Sequence, residues 1–435
     1  MEFVEAAARV LRVVVGFVSS IRITVLIALS FHTEWVDAEQ PSVVRPCLSM
    51  ERIRDLEEMV RTLDPASTAA KRAVDSLIAV ISDDRCPAVL RHRAGMLLGR
   101  IGEPAAAAVP VLLRLRSGDN RYWALKSLGL FGEVAAGAVG QLAPELHDLS
   151  RESGDRILVA DVLGQIGTGP AIEALGQELL RRDRSTSGNS STDAAGSQLL
   201  TKTVLDAISL AGPKAVGALP AIVRSLEHPE SEIRRKACLA IGQLGPQADA
   251  AIDSVFERLV LDDSPEVQDA AAQALGQLGR NSVAVLLRVV RDAPPNLQWR
   301  AARSLGRFGS TWTGTRIDPR RGLGEDRPTV VRELVAQFES EDSRVRIESL
   351  ESVWRIQRRP ELVAIPLIAE LGSADRQTRM AAIRVLVELD ELPDEATDSL
   401  TKLCAEPSAE GRSACEVLRK RLLFEKQSQL EAAQD

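Results

Sequence analysis

Aromatic residues make up only 3% of the 435-residue sequence, with a single Tyr, while hydrophobic residues of all kinds reach 45% and charged residues 26%. Apolarity at that level excludes disorder for most of the chain, and the shortage of rings leaves Ala, Leu and Val to fill the core. Helices packed closely through small side chains meet that requirement. Histidine is also scarce: His32, His92, His147 and His228 are neither adjacent to Glu nor paired at helical ligand spacing. Zinc and di-iron sites of the usual kinds therefore lack ligands. The five cysteines, Cys47, Cys86, Cys238, Cys404 and Cys415, are odd in number and contain no Cys-x-x-Cys pair. That pattern shows neither a disulfide framework nor a zinc site. One or two bridges would still suit an exported chain, and Cys238, in a helical apolar stripe, reads as a small core residue.

Positive charge is in deficit, with 54 Lys+Arg against 61 Asp+Glu and a net of −7. The field of the whole chain repels phosphate backbones, so nucleic acid binding would need a local basic patch. The sequence has no Gly-x-x-x-x-Gly-Lys-[Ser/Thr] and no Gly-x-Ser-x-Gly in a strand–turn–helix setting. A phosphate cradle and a nucleophile elbow thus lack their frames. No catalytic residue, metal or cofactor is expected.

Residues 1–38 differ from the rest. Arg9, Arg12 and Arg22 punctuate an apolar start, Ile23 to Phe31 is nearly free of polar groups, and Val36-Asp37-Ala38 follows. This is the order of a secretory signal: the apolar run is too short to span a bilayer, and Val36 and Ala38 satisfy the small-residue rule for a cut after Ala38. Glu2, Glu5 and the approach through His32, Glu34 and Trp35 are atypical, so an uncleaved anchor and a start at Met50 stay open. The expectation is export to the periplasm or cell envelope, with a cytoplasmic chain if Met50 is the start. Membrane contact is expected only if the segment is uncleaved. Residues 39–52 read as a linker.

Beyond it one phrase recurs. Leu98-Gly99-Arg100-Ile101-Gly102 returns as Leu128-Gly129-Leu130-Phe131-Gly132, Leu163-Gly164-Gln165-Ile166-Gly167, Ile241-Gly242-Gln243-Leu244-Gly245, Leu275-Gly276-Gln277-Leu278-Gly279 and Leu305-Gly306-Arg307-Phe308-Gly309. A weaker copy ends at Gly212, and degenerate ones end at Gln357 and Asp390. Each phrase closes a helix: Ile233, Ala237, Ile241 and Leu244 recur at three- and four-residue steps, so one stripe faces inward. The last Gly stands where a helix ends in the left-handed conformation. The Gly three residues earlier is inside the helix, where it costs roughly 1 kcal/mol relative to Ala. Its recurrence implies close approach of a neighbouring backbone. Another apolar segment precedes each of these helices, as in Ala215–Leu226 and Ala250–Leu261. The unit is a helical hairpin that cannot bury its stripe alone, so the fold class is all-α, an α-solenoid superhelix of about ten stacked antiparallel hairpins over residues 53–423.

Through these phrases the sequence resembles the HEAT repeats, specifically the short HEAT-like class of phycobilin lyases and many bacterial proteins. A further column supports the resemblance. Eleven residues before the closing position stand Arg91, Arg121, Arg156, Arg234, Arg346 and Arg379, with Lys202 ten before Gly212 in the weaker copy, while Gln268 and Gln298 hold the position in two others. The basic members match the basic residue with which the family opens its second helix, and Glu152, Glu230, Asp342 and Asp375 stand four before. The column reads first as a ladder of ion pairs tying repeat to repeat. The resemblance implies a noncatalytic scaffold for protein partners or, as the alternative, an enzyme-accessory protein like a bilin lyase that holds a ligand and a target chain.

Two insertions interrupt the array. The Ser/Thr-rich stretch at about 182–200 reads as a flexible surface loop. The second, 310–329, carries Trp312, Arg320 and Arg321, types favoured at contact sites. Residues 424–435 form a polar tail expected to fray.

Binding is expected on the concave wall of second helices. Arg100, Leu130, Gln165, Gln243, Gln277 and Arg307 form a column two residues before the closing Gly, and all but Leu130 offer polar groups to a peptide or partner helix. Trp123 with Lys126, and Trp299 with Arg300, Arg303 and Arg307, are further anchors, the two Trp among the first aromatics expected on the surface. The positions equivalent to those three arginines in the two preceding repeats are Lys236, Leu239 and Gln243, then Ala270, Gln273 and Gln277. The basic stripe does not propagate through them, so no nucleic acid partner is expected.

Overall fold

The computed structural model describes residues 50–62, 67–182, 191–308, 322–389 and 391–432. The chain divides into two compact units, Met1–Leu48 and Ser49–Asp435, and the described residues belong to the second. The expected signal segment, its cut site, Trp312, Arg320 and Arg321 lie outside them.

Among the described residues every regular element is helical. After α1 (Met50–Thr62) come α2 (Thr68–Ser82) with α3 (Ala88–Ile101), α4 (Val109–Arg114) with α5 (Arg121–Leu130), and α6 (Val139–His147) with α7 (Ser153–Ile166). The middle of the unit pairs α8 (Gly169–Arg182) with α9 (Ser191–Ala211), α10 (Leu219–Ser225) with α11 (Ser231–Leu244), and α12 (Ile252–Leu261) with α13 (Pro265–Gln277). It continues with α14 (Val283–Asp292) and α15 (Pro295–Gly306), α16 (Arg327–Ala336) and α17 (Ser343–Gln357), α18 (Pro360–Ala369) and α19 (Arg376–Glu388), then α20 (Asp394–Cys404) and α21 (Ala409–Ala432). Each hairpin packs against its neighbours in sequence. The unit is therefore an α-solenoid of two helix layers, with odd-numbered second helices side by side in one and even-numbered first helices in the other.

The recurrent glycines explain the spacing of the second-helix layer. A Cβ on Gly164 of α7 would meet Ala207 of α9, one on Gly276 of α13 would sit 3.1 Å from the Ser304 carbonyl of α15, and one on Gly306 would meet Ser352 of α17. Each glycine thus admits the next second helix at backbone range. The closing glycines have positive φ, 74° at Gly102 and 66° at Gly245, as the sequence implies. Gly167 closes α7 in the left-handed helical conformation, and in the degenerate copy Arg358 takes that conformation, with φ 52°.

The arginine column forms the expected ladder. Arg121 of α5 reaches Glu145 of α6 at 2.8 Å, Arg156 of α7 reaches Glu178 of α8 at 2.6 Å, and Arg346 of α17 pairs with Glu370 beyond α18 at 2.5 Å. Arg234 of α11 holds Asp262 at the end of α12 and donates to the carbonyls of His228 and Pro229 in its own hairpin turn. One guanidinium thus satisfies a turn and grips the next hairpin. Asp342 and Asp375, four residues earlier, are N-caps whose carboxylates accept from Arg344 N and Val345 N and from Gln377 N and Thr378 N. Such caps contribute about 1 kcal/mol each.

Three sequence expectations are corrected. Residues 191–200 are not loop but the first turns of α9: Leu200 is fully buried and Gly196 lies against Ser153, so neighbouring contact supplies the order that the Ser/Thr-rich composition lacks. Residues 322–329 of the second insertion also belong to the array, with Leu323 fully buried and Arg280 paired to Asp326 at 3.2 Å. The expected fraying tail is helical to Ala432, because α21 continues without a breaker. Cysteine also carries more structure than its count implies. Cys404 and Cys415 form a disulfide across the last hairpin, Cys86 is disulfide-bonded, and Cys238 is free and buried.

Candidate functional site

The solvent face of the second-helix layer is continuous, and its polar residues pair across neighbouring helices. Arg100 of α3 reaches Glu57 of α1 at 3.2 Å, Lys126 of α5 reaches Asp161 of α7 at 2.6 Å, and Lys236 of α11 reaches Asp206 of α9 at 2.6 Å. Such half-exposed pairs contribute little stability, but they hold the wall's charges in fixed places.

A cleft of about 710 Å³ opens across α5, α7 and α9. Its apolar floor is Ile157 and Leu158, its rim carries Asp119, Glu152, Asp155 and Asp161 against Arg121 and Lys126, and Thr203 closes the far side. Tyr122, the single tyrosine, stands there 61% exposed. Arg121 is committed to Glu145 and Asp155, and Lys126 to Asp161. The surplus charge of the cleft is therefore negative.

The same wall has the opposite character across α15, α17 and α19. Arg344 stacks on Trp299 with its guanidinium carbon 3.4 Å from the ring centroid, while Arg300 and Arg303 lie 4.4 and 4.7 Å away. Arg300 pairs with Asp269 at 2.6 Å, Arg303 pairs with Glu348, and Arg355 and Arg384 share Glu351. Partial desolvation of its guanidinium, then the positive charges of Arg355 and Arg303, lower the proton affinity of Arg307. Arg344 is shifted the same way by partial desolvation and by Arg303. At Arg303 burial opposes the charge, but Glu348 more than offsets it and the pKa is raised. Among the described residues no group of three His, Cys, Asp or Glu side chains could hold a metal ion.

Two family models match this chain: residues 252–337 fit the one described as HEAT repeats, and residues 218–248 the one described as HEAT repeat. It carries HEAT repeats. Neither HEAT match is specific to the phycobilin lyase type. Among solved structures the HEAT array is similar to an engineered protein, at 20% identity over 85% of this chain and 98% of that one, TM-score 0.33. It is also similar to importin beta, at 13% identity over 86% of this chain and 60% of that one, TM-score 0.46. Kap121p bound to Nup53p is similar at 11% identity over 89% and 47%, TM-score 0.46. The chain thus spans less than two thirds of importin beta and of Kap121p. No curated protein matches the sequence.

Placed on the HEAT array, the residues singled out in the sequence separate into groups. Trp123 and Trp299 are 5% and 4% exposed, which corrects their reading as surface aromatics. Trp123 donates to Asn120 at 3.2 Å beside Gly95 of α3, and Trp299 lies beneath the arginines. Arg300 is buried, whereas Arg307 is exposed and Lys126 and Arg303 are half-buried. The Gln column also has a packing role: the amide oxygens of Gln165 and Gln277 occupy the space a Cβ would need on Gly129 and Gly242. Gln165 also donates to Asp161 at 2.9 Å. Gln243 is half-buried on the same face. Sequence reasoning missed Tyr122, although it is the lone tyrosine and sits one helical step from Trp123. It also missed Arg355, which occupies the same column as Arg307 in the degenerate repeat.

Proposed function

We propose that this HEAT array is a noncatalytic scaffold that takes up a segment of a protein partner along its second-helix wall. The observation that carries the reading is Tyr122, held exposed on a rigid helix over the apolar floor of the cleft. Tyrosine offers a large contact area at low conformational cost, and such anchors dominate binding energy when a pocket encloses them. The cleft's surplus of carboxylates favours a basic or neutral segment at that end. Export to the periplasm or envelope is part of the same proposal. The Cys404–Cys415 bridge supports it, since such bonds persist in oxidising compartments.

Site-specific photocrosslinking in the producing cell tests the scaffold. A photoreactive residue at position 122 is expected to trap one discrete protein adduct, whereas one at exposed Leu261, at the end of a first helix, is not. Loss of the adduct on Leu158→Asp would support the cleft as its seat. Absence of any discrete adduct from position 122 overturns the reading.

A further inference from the structure

The arginines over α15, α17 and α19 are out of balance with the rest of this chain. Six guanidiniums meet three carboxylates: Asp269 serves Arg300, Glu348 serves Arg303, and Glu351 is divided between Arg355 and Arg384. Among the described residues neither Arg307 nor Arg344 forms an ion pair of its own; the carboxylates that act on them, Glu351 and Glu348 on Arg307 and Glu348 and Asp269 on Arg344, are those already paired to other arginines. This surplus sits in a protein whose net charge is −7. Natural surfaces intersperse opposite charges, and a cluster of like charges raises its own energy unless something neutralises it. The packing makes the cluster rigid as well, because Trp299 is a platform under Arg344, Arg300 and Arg303. Stacked guanidiniums lose less freedom on binding and keep their forks for a planar anion.

We propose that this cluster is the docking site for an acidic segment of the protein partner, with Arg307 and Arg344 each receiving an Asp or Glu carboxylate. The proposal rests on the scaffold reading and gives it a direction: the partner's acidic stretch lies over α15 and α17, and its basic or neutral stretch lies toward Tyr122. A carboxylate-rich peptide is favoured over nucleic acid by what surrounds the cluster. Between it and the cleft the wall offers Gln277 and Gln243, and the cleft itself is acidic. A phosphate backbone would find a few contacts and then repulsion, whereas a peptide can change its charge from one residue to the next.

The test is fluorescence anisotropy of the full chain with a labelled twelve-residue Glu/Asp peptide, a Lys peptide of equal length and a single-stranded DNA 12-mer. At low salt the acidic peptide is expected to bind and the Lys peptide to bind more weakly. Arg307→Gln, at an exposed position, is expected to weaken the acidic peptide about tenfold, as is Arg344→Gln, while Arg72→Gln, exposed on the first helix α2, leaves it unchanged. Added salt should weaken binding further. Thermal melts of each variant check that the array is intact, and Arg307→Gln alone decides the matter if Arg344→Gln unfolds. The proposal is overturned if the acidic peptide fails to bind at low salt. It is equally overturned if Arg307→Gln leaves binding intact, or if the DNA binds more tightly through the same arginines. Failure here with crosslinking at position 122 intact removes only the acidic segment; failure of both removes the scaffold reading.

Discussion

Arg234 holds Asp262 with both arms of its guanidinium, Nε to Oδ2 and Nη2 to Oδ1, each at 2.8 Å. The two residues lie in consecutive hairpins, so this contact crosses the joint between repeats. In a solenoid each unit touches only its neighbours, and the joints carry the cooperativity of the whole.

Asp262→Asn removes the buried carboxylate from Arg234 and leaves it only the exposed Asp263, 2.7 Å from Nη2. Breaking a buried pair from one side costs about 3 kcal/mol, and the remaining Asp263 reduces that here to about 1–2 kcal/mol. We expect a lowered urea midpoint for the array, and a midpoint equal to the parent would show the ladder to be incidental.

Acid should weaken the same joints. Burial raises the pKa of Asp262, but hydrogen bonds from Arg234 and Ser264 outweigh it and hold the carboxyl below its ordinary value. At Glu145 burial again acts upward and is outweighed by Arg116 and Arg121. Both carboxyls bind protons more weakly folded than unfolded, so their stabilisation is present above about pH 4 and is lost as pH falls through the depressed folded values. The stability difference between pH 7 and pH 3.5 should therefore be smaller in Asp262→Asn than in the parent, measured by urea titration at each pH.

Gly164→Ala places a methyl group against Ala207 where α7 and α9 meet. Overpacking of this kind costs about 1–3 kcal/mol, which outweighs the helix propensity that Ala gains. Gly140→Ala, with nothing within 4 Å of the added carbon, should be neutral or stabilising. Thermal melts showing the two substitutions equal would refute the close-approach explanation of the glycine column.

Arg358 is the one described non-glycine residue with positive φ, and its guanidinium lies 4.9 Å from the Trp354 ring centroid. Arg358→Ala loses the stacking and keeps the strained backbone; Arg358→Gly loses the stacking and relieves it. The Gly variant should be the more stable of the two by about 1 kcal/mol.

Cys238 has its thiol pushed up to about 12 by burial, with Asp262 adding to the effect. Iodoacetamide applied to the unreduced native protein should leave it unmodified, and denaturant should expose it. Labelling of native Cys238 at the rate of a free thiol would contradict its place inside α11. Replacing both Cys404 and Cys415 by Ser should loosen α20 against α21 by about 3 kcal/mol and leave the earlier hairpins unchanged, as peptide-resolved hydrogen exchange would show.

The array was legible because repeats write their packing into fixed columns. Leu, Ala and Ile at three- and four-residue steps, Gly164 and Gly276 at the contacts and Arg234 at the joint are local requirements, and they recur for the same physical reason in each unit. The wall's chemistry was not legible in that way. Trp299 and Arg300 read as a surface pair in one helix, and only the approach of α17 buried the ring and placed Arg344 over it. The basic stripe failed to continue backward through Gln277 and Gln243, but it continued forward through Arg355 and Arg384, in repeats whose motif had decayed and whose register was hard to follow.

The sequence by itself determined that this protein is an all-α stack of hairpins, where each hairpin closes, and which glycines and arginines join them, because those features depend on residues a few positions apart or in register. Which aromatic stays in solvent, and which arginines are left without an ion pair of their own, only the tertiary structure decided. Exposure and charge balance are properties of what neighbouring helices bring to a shared face, and those neighbours lie some 30 to 50 residues apart, as Arg300 with Asp269 and Arg303 with Glu348 show.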